Sequence, residues 1–118
     1  MSDAESAPLL NVTGPLATIT LNRPGKRNRL ENEDLQTLLD CFAQIQADPS
    51  IRVLLLTARV NQPQPVFCAG YNVQQLDAQD GGTVFARVPD ALERLNAVTL
   101  CALGGSVFGG ATDLALAC

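Results

Sequence analysis

The chain has 118 residues, enough for one domain with a single modest core, so no second domain is expected. Hydrophobic residues make up 47% of the sequence and charged residues 17%, a composition that excludes disorder of the whole chain. The formal net charge of −4 argues against nucleic acid as the main partner, because phosphate binding normally requires a basic surface.

The sequence contains four cysteines and no histidine. The cysteines are irregularly spaced and form no Cys-x-x-Cys pair, so no metal site is expected. Without histidine, mechanisms in which an imidazole activates a serine or cysteine are excluded, and acid and base chemistry falls to carboxylates. The acidic first residues lack the basic and apolar stretches of a signal peptide, and we therefore expect a cytoplasmic protein with free thiols.

The N-terminal part of the chain predicts a flexible segment followed by a hairpin. Residues 1–7 are polar, and we expect the domain to comprise residues 8–118. Short runs of β-forming residues at 9–12 and 16–21 predict two strands joined by a turn at Gly14.

A basic loop follows this hairpin. Four of the eight Lys and Arg residues lie within seven consecutive positions, 23–29, in an otherwise acidic chain. Such a local concentration of positive charge predicts an anion site, with a solvated charged loop as the alternative. Lys26 and Arg27 are the strongest candidates for contacts with phosphate groups.

The middle of the chain predicts a strand–helix–strand unit. Asn32 is a candidate N-cap, and apolar residues then repeat at helical spacing until Pro49, which cannot continue a helix. The continuous apolar run at 51–57 predicts a strand that is buried on both faces. This order of elements indicates a crossover connection and an α/β fold.

Glycines and prolines divide the rest of the chain. We expect a helical turn at 73–76, a flexible segment at 80–82, and a helix that opens at Pro89 and runs to about residue 96. A strand at 98–103 and a helix at 111–118 complete the prediction.

The apolar stretch at 97–118 also allows a membrane span to be considered. Asp113 would cost about 2.5–3.5 kcal/mol inside a bilayer, and the glycines would weaken a long helix. We therefore favour a strand and a helix, with no membrane as partner.

Two glycine-containing motifs could stabilise negative charge on a ligand. Gly109-Gly110 directly precedes the last predicted helix, whose first N–H groups lack partners within the helix. A second tight loop, residues 68–71, follows the buried strand. Two N–H groups aimed at one oxygen would stabilise the enolate that forms when an acyl thioester loses its α proton. Each motif alone is also compatible with an ordinary turn.

Together, these segments resemble the enoyl-CoA hydratase/isomerase (crotonase) family. The matching stretches are Ile-Thr-Leu-Asn-Arg-Pro at 19–24, Asn28, the apolar run at 51–57, Phe-Cys-Ala-Gly-Tyr-Asn-Val at 67–73, and residues 105–118. The resemblance implies the N-terminal portion of a crotonase-like spiral of ββα units, truncated on its C-terminal side.

The resemblance also implies roles for individual residues. The N–H groups of Tyr71 and Gly110 would hold the carbonyl oxygen of an acyl-CoA thioester, and Asp113 would transfer protons. Asp113 follows Gly110 by just under one helical turn, so both can face one pocket. The residues expected to contact the CoA moiety, the only cofactor implied, are Lys26, Arg27, Ala69 and Gly70.

The activity implied by the resemblance is enoyl-CoA hydration in fatty acid metabolism. Asp113 stands where hydratases usually have glutamate, which leaves double-bond isomerisation open, and burial would have to raise its pKa toward neutral. A non-catalytic CoA-binding chain is a further alternative, because the family's second catalytic carboxylate is absent. For the complete protein, the resemblance implies a homotrimer or a dimer of trimers.

Overall fold

The computed structural model describes residues 4–71 and 81–118. Pairs of consecutive strands are each followed by a helix along these ranges, which confirms the predicted α/β fold. In chain order the elements are β1 (Leu9–Thr13), β2 (Leu16–Leu21), α1 (Asn32–Gln46), β3 (Val53–Ala58), β4 (Val66–Cys68), α2 (Gly81–Glu93), β5 (Val98–Cys101), β6 (Ser106–Val107) and α3 (Gly110–Leu116).

The strands form two sheets. The larger sheet has the order β1-β2-β3-β5, with an antiparallel β1–β2 pair and parallel pairing from β2 through β5. The smaller sheet is the parallel pair β4–β6. Because β3-β4-α2 and β5-β6-α3 repeat the same order, successive turns of the chain stack on one another and bring the ends of β4 and β6 together.

The N-terminal hairpin is confirmed. Gly14 has φ 58°, a left-handed conformation that glycine adopts without steric cost, and the strands on either side pair from Leu9 opposite Thr20 to Thr13 opposite Leu16. Ser6, just before the hairpin, donates its backbone N–H to the Asn22 carbonyl at 3.0 Å.

The core lies between α1, α2 and one face of the larger sheet. The buried residues of α1 recur every three or four positions, so one side of the helix faces the sheet. On the opposite face of β3, Val53 and Leu55 are only half-buried, and the prediction of a strand buried on both faces is therefore wrong. Among the described residues, no helix covers that face, and Val98 and Leu100 of the adjacent β5 are also exposed there.

Helix α2 begins before Pro89, and the predicted helix start at that proline is wrong. Pro89 lies inside α2, where it lacks the N–H that would otherwise bond to the carbonyl of residue 85. Val88 and Leu92 are fully buried, and this packing holds the helix on the core despite the missing bond. The predicted helical turn at 73–76 lies outside the described residues.

The apolar segment considered as a membrane span folds differently. It forms β5, β6 and α3, which are separate short elements. Across residues 4–71 and 81–118, no helix has the length and apolar character needed to cross a bilayer.

Candidate functional site

The basic loop divides into paired and unpaired cations. Arg23 donates from Nε to both carboxylate oxygens of Asp34 at 3.1 Å and from Nη2 to Glu33 at 2.9 Å. Arg29 pairs with Glu31 at 3.0 Å. Lys26 and Arg27 are exposed, and neither forms an ion pair with a described residue. Of the four cations in the loop, Lys26 and Arg27 are therefore the two available to the predicted anion.

The first turn of α1 anchors the loop. Glu31 is the N-cap, in place of the predicted Asn32, and its side chain and that of Asp34 form a reciprocal capping box. Burial raises the pKa of the Asp34 carboxyl, while the N–H of Glu31 and the guanidinium of Arg23 act in the opposite direction. Asp34 thus links the helix start to the basic loop through buried polar contacts.

Asn28 fixes the shape of the basic loop. It is buried, accepts the Arg23 N–H at 2.7 Å, and donates its side-chain amide to the Arg59 carbonyl at 2.7 Å. Arg27 and Asn28 both have positive φ, 56° and 55°, which asparagine tolerates better than most residues. The Arg27 side chain is therefore carried on a tightly constrained backbone.

The loop at residues 68–71 is joined directly to this backbone. Ala69 donates its N–H to the Arg27 carbonyl at 2.9 Å, and Leu30 donates its N–H to the Gly70 carbonyl at 2.8 Å. Leu30 and Tyr71 form an isolated parallel β-bridge. Backbone hydrogen bonds therefore hold the loop that ends at Tyr71 next to the loop that carries the exposed cations.

Gly70 brings this loop against the start of α3. Its φ is 94°, and a Cβ atom at this position would lie 2.9 Å from the Phe108 carbonyl oxygen and 3.4 Å from the Gly110 nitrogen. Phe108 also donates its N–H to the Cys68 carbonyl at 3.1 Å, extending the β4–β6 pairing. Tyr71 follows Gly70 directly, so the structure brings the two predicted donor residues, Tyr71 and Gly110, into one region.

Gly110 is the first residue of α3. The next two N–H groups, of Ala111 and Thr112, donate to the carbonyls of Phe108 and Gly109, each at 3.1 Å. No acceptor for the Gly110 N–H is found within the described part of the chain. A helix's first N–H groups have no partner within the helix, so this one is suited to a ligand acceptor.

An aromatic pair borders both donor residues. The rings of Tyr71 and Phe85 stack with centroids 5.4 Å apart and 19° between their planes, and the Tyr71 hydroxyl donates to Asn32 Oδ1 at 2.6 Å. The Phe85 ring also packs on Gly110: two of its carbons lie 2.9 and 3.0 Å from where a Gly110 Cβ would stand. The sequence analysis missed Phe85, because one apolar residue in a helix carries no local signal of such a contact.

Asp113 lies on the other side of α3 from the core. Its side chain is exposed and lines a groove of about 360 Å³ between α2 and α3, together with Pro89, Asp90 and Glu93. The described part of the chain therefore leaves the Asp113 carboxylate open to solvent.

Cys68 is a packed residue, as predicted. It is fully buried, and its thiol donates to the Asn28 carbonyl at 3.2 Å. Burial raises the pKa of Cys68 to about 11, so its thiol stays protonated at neutral pH and is a poor nucleophile.

Comparisons with known proteins agree on one family. Residues 12–118 match the family model for enoyl-CoA hydratase/isomerase. The mitochondrial enoyl-CoA hydratase domain-containing protein 2 of Mus musculus is 35% identical over 116 residues, which are 91% of this chain and 38% of that protein. The carnitinyl-CoA dehydratase of Proteus mirabilis is 31% identical, over 92% of this chain and 42% of its own length.

Solved structures show the same fold. The crystal structure of an enoyl-CoA hydratase from Bacillus anthracis matches with a TM-score of 0.82 at 25% identity, covering 96% of this chain and 45% of that one. The chain spans about two fifths of the length of the curated relatives named above. Its three successive ββα units form the N-terminal portion of a crotonase fold, and the chain belongs to the enoyl-CoA hydratase/isomerase family.

Proposed function

We propose that the complete protein acts on acyl-CoA thioesters, that the N–H groups of Tyr71 and Gly110 hold the thioester oxygen, and that the reaction is enoyl-CoA hydration. The observation that carries this proposal is the contact at Gly70, where the loop leading to Tyr71 lies against the Gly110 nitrogen. Family membership supports the substrate class, since the matching family is that of enoyl-CoA hydratases and isomerases.

The proposed reaction depends on stabilising negative charge on the thioester carbonyl oxygen. Adding water at the β carbon of an enoyl thioester, or removing a proton from the α carbon, moves negative charge onto the carbonyl oxygen. Two fixed N–H donors stabilise that charge without reorganising, and losing one such donor typically lowers the rate on the order of 10²–10³-fold. Gly110 is well placed for this role because a glycine lets the ligand approach the backbone closely.

The same proposal assigns the CoA moiety to the basic loop. Lys26 and Arg27 are exposed cations without described ion-pair partners, which suits contacts with phosphate groups. The hydrogen bond between the Ala69 N–H and the Arg27 carbonyl links these cations to the loop of Ala69 and Gly70. No cofactor beyond the CoA moiety of the substrate is needed.

Asp113 is the proposed proton carrier, and its properties favour a second candidate reaction. An aspartate is shorter than the glutamate of family hydratases, and this one is exposed. Double-bond isomerisation moves one proton between carbons of the same acyl chain and does not require a positioned water, so it makes fewer demands on the site than hydration.

Turnover of two thioesters by the protein at its native length separates these reactions. Hydration of crotonyl-CoA identifies a hydratase, whereas conversion of 3-butenoyl-CoA to crotonyl-CoA alone identifies an isomerase. Asp113→Asn should lower turnover by about 100-fold or more and leave CoA affinity within about twofold. Asp90→Asn, which changes a carboxylate in the same groove, is the matched control and should retain activity. Binding of CoA without turnover of either thioester would contradict the catalytic assignment.

A further inference from the structure

Phe85 touches both residues whose N–H groups are proposed to hold the thioester oxygen. Its ring stacks on the Tyr71 ring and packs on the α carbon side of Gly110, where it occupies the space that any side chain at 110 would need. The ring is half-buried and packs against the core.

We propose that Phe85 determines specificity at the acyl α carbon, so that the site accepts thioesters with an unbranched α carbon and rejects those that carry an α-methyl group. This inference rests on the proposed function, because it requires the thioester oxygen to bind at Gly110.

The distances around Gly110 support this inference. A carbonyl oxygen accepting the Gly110 N–H would lie about 2.9 Å from the nitrogen, and the acyl α carbon is only two bonds from that oxygen. The α carbon therefore lies within roughly 5 Å of the Gly110 nitrogen, a region that the Phe85 ring already borders. A methyl group on the α carbon would compete with the ring for that space.

The ring has little freedom to move aside. It is stacked on Tyr71, and the Tyr71 hydroxyl is held by Asn32 at the start of α1. A shift of Phe85 would therefore lose its stacking contact with a side chain that is itself anchored. These contacts restrain the Phe85 ring beside Gly110, as discrimination by shape requires.

Dissociation constants measured by isothermal titration calorimetry on the protein at its native length test the proposal. The ligands are CoA and two saturated thioesters that the proposed reaction does not consume, butanoyl-CoA and 2-methylbutanoyl-CoA, which differ by one α-methyl group. The wild-type protein should bind butanoyl-CoA at least about 10-fold more tightly than its α-methyl analogue, within the range that one methyl group produces in a tight pocket. Phe85→Ala should reduce this ratio to about twofold.

Two further variants keep the test decisive. Phe85→Leu preserves an apolar side chain and should also lower the ratio, so it answers the question if Phe85→Ala does not fold. Leu39→Ala truncates a partly buried residue of α1 that lines a different groove, and it should keep the wild-type ratio.

The outcomes distinguish this inference from the function on which it rests. If butanoyl-CoA binds more tightly than CoA but the ratio is the same in wild type, Phe85→Ala and Phe85→Leu, the role of Phe85 is refuted and the function stands. If butanoyl-CoA binds no more tightly than CoA, the acyl site itself is refuted, and the role of Phe85 with it.

Discussion

Gly70 is the residue on which the segments of the candidate site converge. Its carbonyl accepts the Leu30 N–H from the end of the basic loop, and its α carbon faces Phe108 and Gly110 at the start of α3. A side chain would not fit here, because φ is 94° and the Phe108 carbonyl lies 2.9 Å from the Cβ position. The close approach of the Tyr71 loop to Gly110 thus depends on the absence of one methyl group.

Replacing Gly70 with alanine should destabilise the fold by about 2 kcal/mol or more, because strained backbone and steric conflict add. The measurement is the free energy of unfolding from urea denaturation. Gly104→Ala is the matched control: a Cβ at that position has no neighbour within 4 Å, and its effect should stay within about 0.5 kcal/mol. Equal effects of the two substitutions would refute the steric argument.

Cys68 illustrates how burial governs reactivity at a single residue. Because its pKa is raised to about 11, the thiol remains protonated at pH 8, and labelling by iodoacetamide should be very slow until the pH approaches that value or the protein unfolds. Cys101 is half-buried, and a hydrogen bond with the Cys118 thiol lowers its pKa, so it should label first. Peptide mass spectrometry over a time course gives both rates, and faster labelling of Cys68 than of Cys101 would contradict the account.

Helix α1 shows how an element positions the basic loop. Its first turn supplies Glu31 and Asp34 for the capping box, and Asp34 also binds Arg23 while only 2% exposed. Two of the four cations of the loop are thereby directed toward the helix, and the other two are left to the solvent. The element therefore decides which cations are available to a ligand.

Asp34→Ala should lower the free energy of unfolding by about 2–3 kcal/mol, because it removes a helix cap and leaves the largely buried guanidinium of Arg23 without its main partner. Glu33→Ala removes the other carboxylate that contacts Arg23, but its side chain is 70% exposed, so about 0.5 kcal/mol or less is expected. Thermal or urea unfolding of both variants provides the comparison. A larger loss of unfolding free energy for Glu33→Ala than for Asp34→Ala would contradict the assignment of Asp34 as the main partner of Arg23.

At the scale of the whole molecule, successive ββα units stack on one another, and one edge of the larger sheet carries exposed apolar side chains. β5 lies at one end of the larger sheet, and Val98, Leu100 and nearby Leu103 are each more than half exposed. The family relatives named above are more than twice as long as this chain. The described contacts bring Tyr71, Gly110 and Phe85 together at one corner, whereas Asp113 lies in an open groove.

Elements with strong local signals were predictable from the sequence, and contacts between distant segments were not. The Gly14 turn and the apolar stripe of α1 are local patterns, and both predictions are confirmed. The predicted helix start at Pro89 was wrong. Proline favours a helix's first turn, but here the buried residues on either side of it maintain a helix that begins earlier. The ion pair of Arg23 with Asp34 and the packing of Phe85 on Gly110 join residues far apart in sequence, so no spacing rule reveals them.

The most direct test of the central claim is the response of backbone amides to the thioester group. In ¹⁵N–¹H NMR spectra of the chain, butanoyl-CoA should shift the Tyr71 and Gly110 amide resonances strongly, because their N–H groups would donate to its carbonyl oxygen. CoA alone, which has no thioester carbonyl, should shift Lys26 and Arg27 but leave Tyr71 and Gly110 nearly unchanged. If butanoyl-CoA binds and the Tyr71 and Gly110 amides respond no more than they do to CoA, the proposed oxyanion site is wrong.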